Sequence, residues 1–199
     1  MRIDGSTLLP IEESCGLGLR ASSLVETPDG QLVAISGTDI VAPDCETGFA
    51  TSQEAFGFLG TEVVATPDGD VIALDRRGLK DEDGLLTGRG YRYSMPTESA
   101  PLVLQSIIPT GQNSGYGRIH AGTNTLWING EDQGEVVGIS LDTGEAIHRV
   151  EVATHIEYAV VDPDDPAVIY LTGRLSHLVG RVDLRDGVLE KATGARSYW

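Results

Sequence analysis

Short apolar runs separated by tight-turn residues fill the chain from about residue 20 to residue 193. Two of them, LVETPDGQLVAI and VVATPDGDVIAL, contain the same turn, at Thr27–Gly30 and at Thr66–Gly69. The two copies lie 39 residues apart, with residue 27 matching residue 66. Apolar runs of five or six residues on both sides of a Pro-Asp-Gly turn predict pairs of antiparallel β-strands. A fixed offset of this length indicates a repeat architecture.

Two further repeats follow, with their first turns at Gly122 (GTN) and at Pro163 (PDDP). The second half of a repeat is clearest late in the chain, where Asp142–Gly144 and Arg185–Gly187 form the turns of two predicted hairpins. Four short strands in each unit of about 40 residues predict the blades of a small β-propeller. The predicted repeats cover approximately residues 20–55, 60–108, 115–152 and 156–193, within one domain of 199 residues.

These units resemble blades of the NHL, YVTN and virginiamycin-lyase-like class of β-propellers. The segments GTNTLWI and GISLDTGE of the third repeat carry the resemblance best, together with the Pro-Asp-Gly turns. The resemblance implies a turn between strands A and B and a second one between strands C and D of each blade. Propellers of this class usually have six or seven blades, whereas four units fill this chain. We therefore expect an all-β, four-bladed propeller, with half of a larger dimeric propeller or a β-sandwich as alternatives.

The second repeat is longer than the first by roughly 15 residues, and loops that exceed the norm of their repeat are usually functional or mobile. The segment RRGLKDEDGLLTGR, Arg76–Arg89, contains the extra residues. It follows a strand that is predicted to end near Asp75 and precedes the predicted strand GYRYSM. Its glycines and charges are typical of a loop between strands B and C.

Alternating strand direction assigns the connections between strands to two ends of the molecule. The D-to-A and B-to-C connections share one end, the loop face, and the A-to-B and C-to-D turns share the other, the turn face. The turn face contains standard tight turns, whereas the loop face contains the varied segments, so we expect function there. The candidate substrate-binding residues of the loop face are Arg20, Phe56, Phe58, Tyr116 and Arg174.

Two histidines, His155 and His177, lie on neighbouring predicted loops of the fourth repeat, with Glu157 nearby. Such a group is suited to acid–base chemistry, although exposed or capping histidines explain the same pattern. The first hypothesis is a small-molecule-binding propeller that catalyses a lyase, cyclase or isomerase step with these residues, without a cofactor or a metal. The alternatives are a non-enzymatic protein-interaction module and an acidic inhibitor that uses the same face.

The net charge of the chain limits the classes of partner that are expected. The chain has 14 basic and 30 acidic side chains and a formal charge of −16. Because nucleic acids and anionic membranes bind cationic surfaces, neither is an expected partner. A small-molecule ligand is expected, and a homodimer is compatible with the half-propeller alternative. The two cysteines, Cys15 and Cys45, form no disulfide framework, and no secretory segment follows Met1, so a cytoplasmic location is expected.

Overall fold

The computed structural model describes residues 2–3, 10–11, 21–44, 49–55, 60–80, 86–95, 102–111, 114–120, 123–130, 135–151, 156–162, 164–165, 167–173, 179–183, 185 and 188–192. A short pair of strands, β1 (Arg2–Ile3) and β2 (Pro10–Ile11), precedes four sheets. Each sheet contains four antiparallel strands in chain order, and we call these sheets blades one to four.

The strands of blade one are β3 (Ala21–Glu26), β4 (Leu32–Ser36), β5 (Asp39–Asp44) and β6 (Phe49–Ala55). Those of blade two are β7 (Gly60–Ala65), β8 (Val71–Lys80), β9 (Leu86–Ser94) and β10 (Val103–Gly111). Those of blade three are β11 (Ser114–His120), β12 (Thr125–Gly130), β13 (Glu135–Ser140) and β14 (Ala146–Glu151). Those of blade four are β15 (Ile156–Val161), β16 (Val168–Gly173), β17 (Val179–Asp183) and β18 (Val188–Ala192). The predicted all-β fold with four blades of four strands is confirmed.

The Thr-Pro-Asp-Gly turns explain why these strand pairs form locally. Gly30 and Gly69 have φ values of 89° and 94°, a left-handed conformation that glycine adopts without a steric penalty. Thr27 N–H donates to Gln31 O at 2.8 Å, and Gly30 N–H donates to Thr27 O at 2.9 Å. The hydroxyl of Thr27 also donates to the carboxylate of Asp29 within the same turn. Thr27, Asp29 and Gly30 therefore each contribute to closing the hairpin.

The core consists of apolar layers between the faces of successive blades. Val33, Ile35 and Ile40 of blade one pack against Val63 and Val71 of blade two. Equivalent layers lie between blades two and three and between blades three and four. The first strands of the blades, β3, β7, β11 and β15, are the inner strands, and each contacts the next one in the series. Among the described strands, no packing of that extent joins β15 back to β3.

The prediction of a loop at Arg76–Arg89 is wrong for most of this segment. Strand β8 continues to Lys80 and β9 begins at Leu86, with Leu79 paired to Thr87 and Lys80 paired to Leu86. These two residue pairs form a short two-stranded extension of the blade, which we call the outer ribbon. A register irregularity between Asp75 and Leu79 separates it from the regular part of the blade. A two-stranded ribbon satisfies its own backbone hydrogen bonds, so glycines and charges do not prevent it from forming. The sequence analysis missed the ribbon because these residues lack the apolar–polar alternation by which a strand is recognised.

Candidate functional site

An open groove of about 670 Å³ runs along the inner strands. Its walls are residues 23–28 of β3 and the following turn, residues 62–67 of β7 and the following turn, and Ile119 of β11. Because inner strands of a propeller surround its central channel, we call this cavity the channel groove. It combines residues from three blades that are far apart in the sequence.

The channel groove extends to the turn face. Thr27 and Pro28 line it beside blade one, and Thr66 and Pro67 line it beside blade two. The sequence analysis expected little chemistry at this end, because strand and turn formation already account for these residues. These turn residues form a concave surface only because two inner strands approach each other, and no local sequence motif predicts that approach.

Hydrogen bonds between neighbouring inner strands hold the walls of the channel groove together. The Ser23 hydroxyl oxygen accepts a bond from Val63 N–H at 3.1 Å, joining blade one to blade two. The Glu62 carboxylate accepts a bond from Gly117 N–H at 2.6 Å, joining blade two to blade three. Ser23 and Glu62 lie 39 residues apart and so occupy the same position of the repeat. Glu62 is 9% exposed, and its short bond to a backbone N–H gives its carboxyl group a structural role.

Negative charge dominates the channel groove. Glu26 is exposed at its wall, and none of the described residues that line the groove is Lys, Arg or His. The turns at its end add two carboxylates. A hydrogen bond from Thr27 lowers the pKa of Asp29 below its ordinary value of 3.8. A hydrogen bond from Thr66 lowers the pKa of Asp68 in the same way, with Arg92 as a further cause. Both groups are therefore ionised at neutral pH.

Arg92 of β9 is engaged in a structural contact. Its Nη2 lies 2.6 Å from Asp68 Oδ2, and its Nε lies 2.7 Å from Asp70 Oδ2. The remaining nitrogen, Nη1, donates to Leu141 O of blade three at 3.2 Å. A guanidinium can satisfy three acceptors in this manner because its donors point in fixed directions. Arg92 therefore connects blades two and three beside the second Thr-Pro-Asp-Gly turn.

The residues predicted from the sequence fall mostly beyond what the structure describes. His155, His177, Arg20, Phe56, Phe58 and Arg174 lie outside the described residues. The backbones of Glu157 and Tyr116 belong to the inner strands β15 and β11. The catalytic and substrate-binding roles of all eight residues stay predictions.

Two further searches concern only the described residues. Across those ranges, no three or more His, Cys, Asp or Glu side chains are grouped so that they could hold a metal ion. In the same part of the chain, no helix is long and apolar enough to cross a membrane.

Comparison with known proteins shows the fold alone. No protein-family model matches the sequence, and no curated protein matches it. The β-propeller domain of Cps50 (Swd1) from Myceliophteria thermophila is similar in structure, with a TM-score of 0.65 and 13% identity over 81% of this chain and 50% of that chain. A functionally unknown protein from Desulfotomaculum acetoxidans DSM 771 gives a TM-score of 0.66 and 13% identity over 87% of this chain and 55% of that chain.

These similarities support the resemblance to β-propellers, whereas the narrower NHL, YVTN and virginiamycin-lyase-like class stays a prediction. The chain spans about half the length of each of these two solved chains. Because propellers with unrelated functions share one fold, the similarity carries no activity over to this protein.

Proposed function

We propose that this protein is a non-catalytic binding module whose channel groove accepts a basic peptide segment of a partner protein. The observation that carries the proposal is the exposed Glu26 in a groove of about 670 Å³ whose described lining has no basic side chain. A cationic side chain in the groove would complement this charge. The formal charge of −16 would attract such a partner over longer distances.

Binding accounts for the groove better than catalysis does. Of the two glutamates that line it, Glu62 is held by Gly117 N–H, which leaves Glu26 to meet a ligand. Among the described lining residues, Glu26 and the hydrogen-bonded Glu62 are the only acid–base groups, so no donor–acceptor pair for proton transfer faces a ligand. The groove is open and is lined along its length by the neighbouring strands β3 and β7, an arrangement that suits an extended chain. Its volume also lies within the range of about 300–1,000 Å³ that is typical of ligand sites.

The test is a titration with a fluorescein-labelled peptide of alternating Lys and Gly, followed by fluorescence anisotropy. Glu26→Gln should weaken binding about two- to fivefold, the effect of one exposed charge pair. The matched control is Glu151→Gln, which removes the same charge from an exposed position at the end of β14. This control should leave the affinity unchanged.

Three results would contradict specific binding of a basic peptide in the channel groove. The first is equal weakening by both variants, which indicates nonspecific attraction to an acidic surface. The second is equal binding of a Glu-Gly peptide, and the third is no binding of the Lys-Gly peptide at all. Specific binding should also weaken as the salt concentration rises, because Glu26 is exposed to screening ions.

A second candidate function is a lyase, cyclase or isomerase step on a small molecule at the loop face. It rests on the outer ribbon of β8 and β9, which extends blade two at the end where strands B and C are joined. In this candidate His155, His177 and Glu157 act as acid and base, and Arg20, Phe56, Phe58, Tyr116 and Arg174 hold the substrate.

Thermal-shift screening of a small-molecule library tests this candidate. Ligands that raise the melting temperature of the wild type but not that of a His155→Ala/His177→Ala variant would support it. Ligands whose effect persists in this double variant and disappears in Glu26→Gln would favour the channel groove instead.

A further inference from the structure

Each internal blade interface uses the same cross-strand position. On the face that packs against the following blade, the second strand contributes a residue that pairs with the inner strand. In blade one this residue is Val33, which pairs with Val25, and in blade two it is Ile72, which pairs with Val64. In blade three it is Trp127. All of them belong to the apolar layer shared with the next blade.

Blade four presents the corresponding pair to solvent. Tyr170 of β16 pairs with Val160 of β15 in the equivalent register. Their exposed fractions are 45% and 53%, and Val179 of β17 on the same face is 45% exposed. The opposite face of this blade packs normally, since Ile169 and Leu171 are buried against blade three. Blade four therefore leaves Val160, Tyr170 and Val179 exposed on its outer face, where Arg181 lies beside Tyr170.

Blade one leaves its inner strand exposed on its other side. The inner-strand residue that faces the preceding blade is Val63 in blade two, Gly117 in blade three and Ala159 in blade four, and all three are buried. Its equivalent in blade one is Leu24, which is 58% exposed. Ala34 and Val41, farther out on this face, are buried. The surface that remains open is therefore at the inner strand.

We propose that a second copy of this chain covers both surfaces, with blade four of each copy packed against blade one of the other. Two such contacts, related by a twofold axis along the channel, would close a ring of two times four blades. Propellers of four to eight blades are known, so a ring of this size is sterically feasible. Head-to-tail contacts form closed rings when the rotation between subunits permits closure.

A second copy explains the observations better than closure within one chain. The described inner strands β15 and β3 do not pack together as their neighbours do. The two solved chains compared above are each about twice as long as the part they share with this protein. The proposal does not depend on which ligand the groove binds.

Sedimentation velocity of the full 199-residue chain tests this interface. The expected mass is twice the 21.1 kDa of one chain. Val160→Asp and Tyr170→Asp should each convert the dimer to a monomer with an unchanged far-UV circular dichroism spectrum. The control Ile147→Asp changes an equally exposed apolar residue on β14, and it should remain dimeric. A monomeric wild type would overturn the proposal, as would an open-ended polymer.

Mixing two interface variants distinguishes head-to-tail pairing from other dimers. Leu24→Asp damages the blade-one surface, and Val160→Asp damages the blade-four surface. Each variant alone should be monomeric because both contacts of its ring contain one damaged surface. The mixture retains one contact between two intact surfaces and should form a heterodimer. Dimers of either variant alone, or a mixture that stays monomeric, would overturn the head-to-tail arrangement.

Discussion

At the scale of single residues, Gly138 shows how a missing side chain shapes the interface between blades three and four. It lies between Trp127 and His148 in a cross-strand row on β12, β13 and β14. A Cβ atom at this position would lie 2.7 Å from Cζ3 and Cη2 of the Trp127 indole. The indole therefore lies across the glycine and stacks on His148, with ring centroids 5.5 Å apart and planes inclined by 18°. Trp127 is thereby buried between the blades.

Gly138→Ala should destabilise the protein because the added methyl group displaces the indole from its layer. Overpacking of this kind costs about 1–3 kcal/mol in the free energy of unfolding. Urea denaturation followed by circular dichroism measures the change. In a Trp127→Leu background the same substitution should cost clearly less, because the obstructing ring is absent. Equal costs in the two backgrounds would show that backbone effects, rather than the indole, require glycine here.

At the scale of elements, the second Thr-Pro-Asp-Gly turn couples a hairpin to its neighbouring blade through Asp68. The carboxylate accepts a hydrogen bond from the Thr66 hydroxyl within the turn and another from Arg92. Arg92 also donates a hydrogen bond to Leu141 O of blade three. The first turn has the same internal Thr27–Asp29 bond, but its neighbour there is the Gln31 amide, at 3.0 Å. Identical motifs thus differ in what they connect.

Asp68→Asn should lower the free energy of unfolding at neutral pH by about 1 kcal/mol or less, as expected for an ion pair whose carboxylate is largely exposed. The Thr66 hydrogen bond, followed by Arg92, lowers the pKa of Asp68 in the folded protein below its ordinary value of 3.8. The ionised carboxylate therefore stabilises the folded state above pH 3.8, and this contribution disappears as the pH falls through the lower, folded-state pKa.

The measurement is urea denaturation of the wild type and Asp68→Asn between neutral and acidic pH. The difference between them should shrink at the acidic end. Asp164→Asn removes the same charge from a turn of blade four and is the control. A difference that stays constant down to the acid limit would exclude the ionised carboxylate as its source.

At the scale of the whole molecule, the sequence predicted what short-range chemistry determines. The predicted Asp142–Gly144 turn is present, with Gly144 N–H bonded to Ser140 O at 2.8 Å and a Gly144 φ of 73°. The ribbon of residues 79–80 and 86–87 was mispredicted because its sequence lacks the alternation of apolar and polar residues that reveals a strand. The channel groove could not be predicted at all, since it depends on how β3 and β7 approach each other. The loop-face residues, including His155 and His177, remain untested.

Ring closure by a second copy makes stability depend on concentration. Because only folded blades can form the proposed contacts of Leu24 with the Val160–Tyr170 surface, dimerisation should stabilise the native state by mass action. The melting temperature of the wild type should therefore rise with protein concentration, whereas that of Tyr170→Asp should be independent of it. Differential scanning calorimetry over a hundredfold range of concentration measures both. A wild-type melting temperature that does not change with concentration would mean that the four blades gain no stability from a partner, and that their exposed ends have another role.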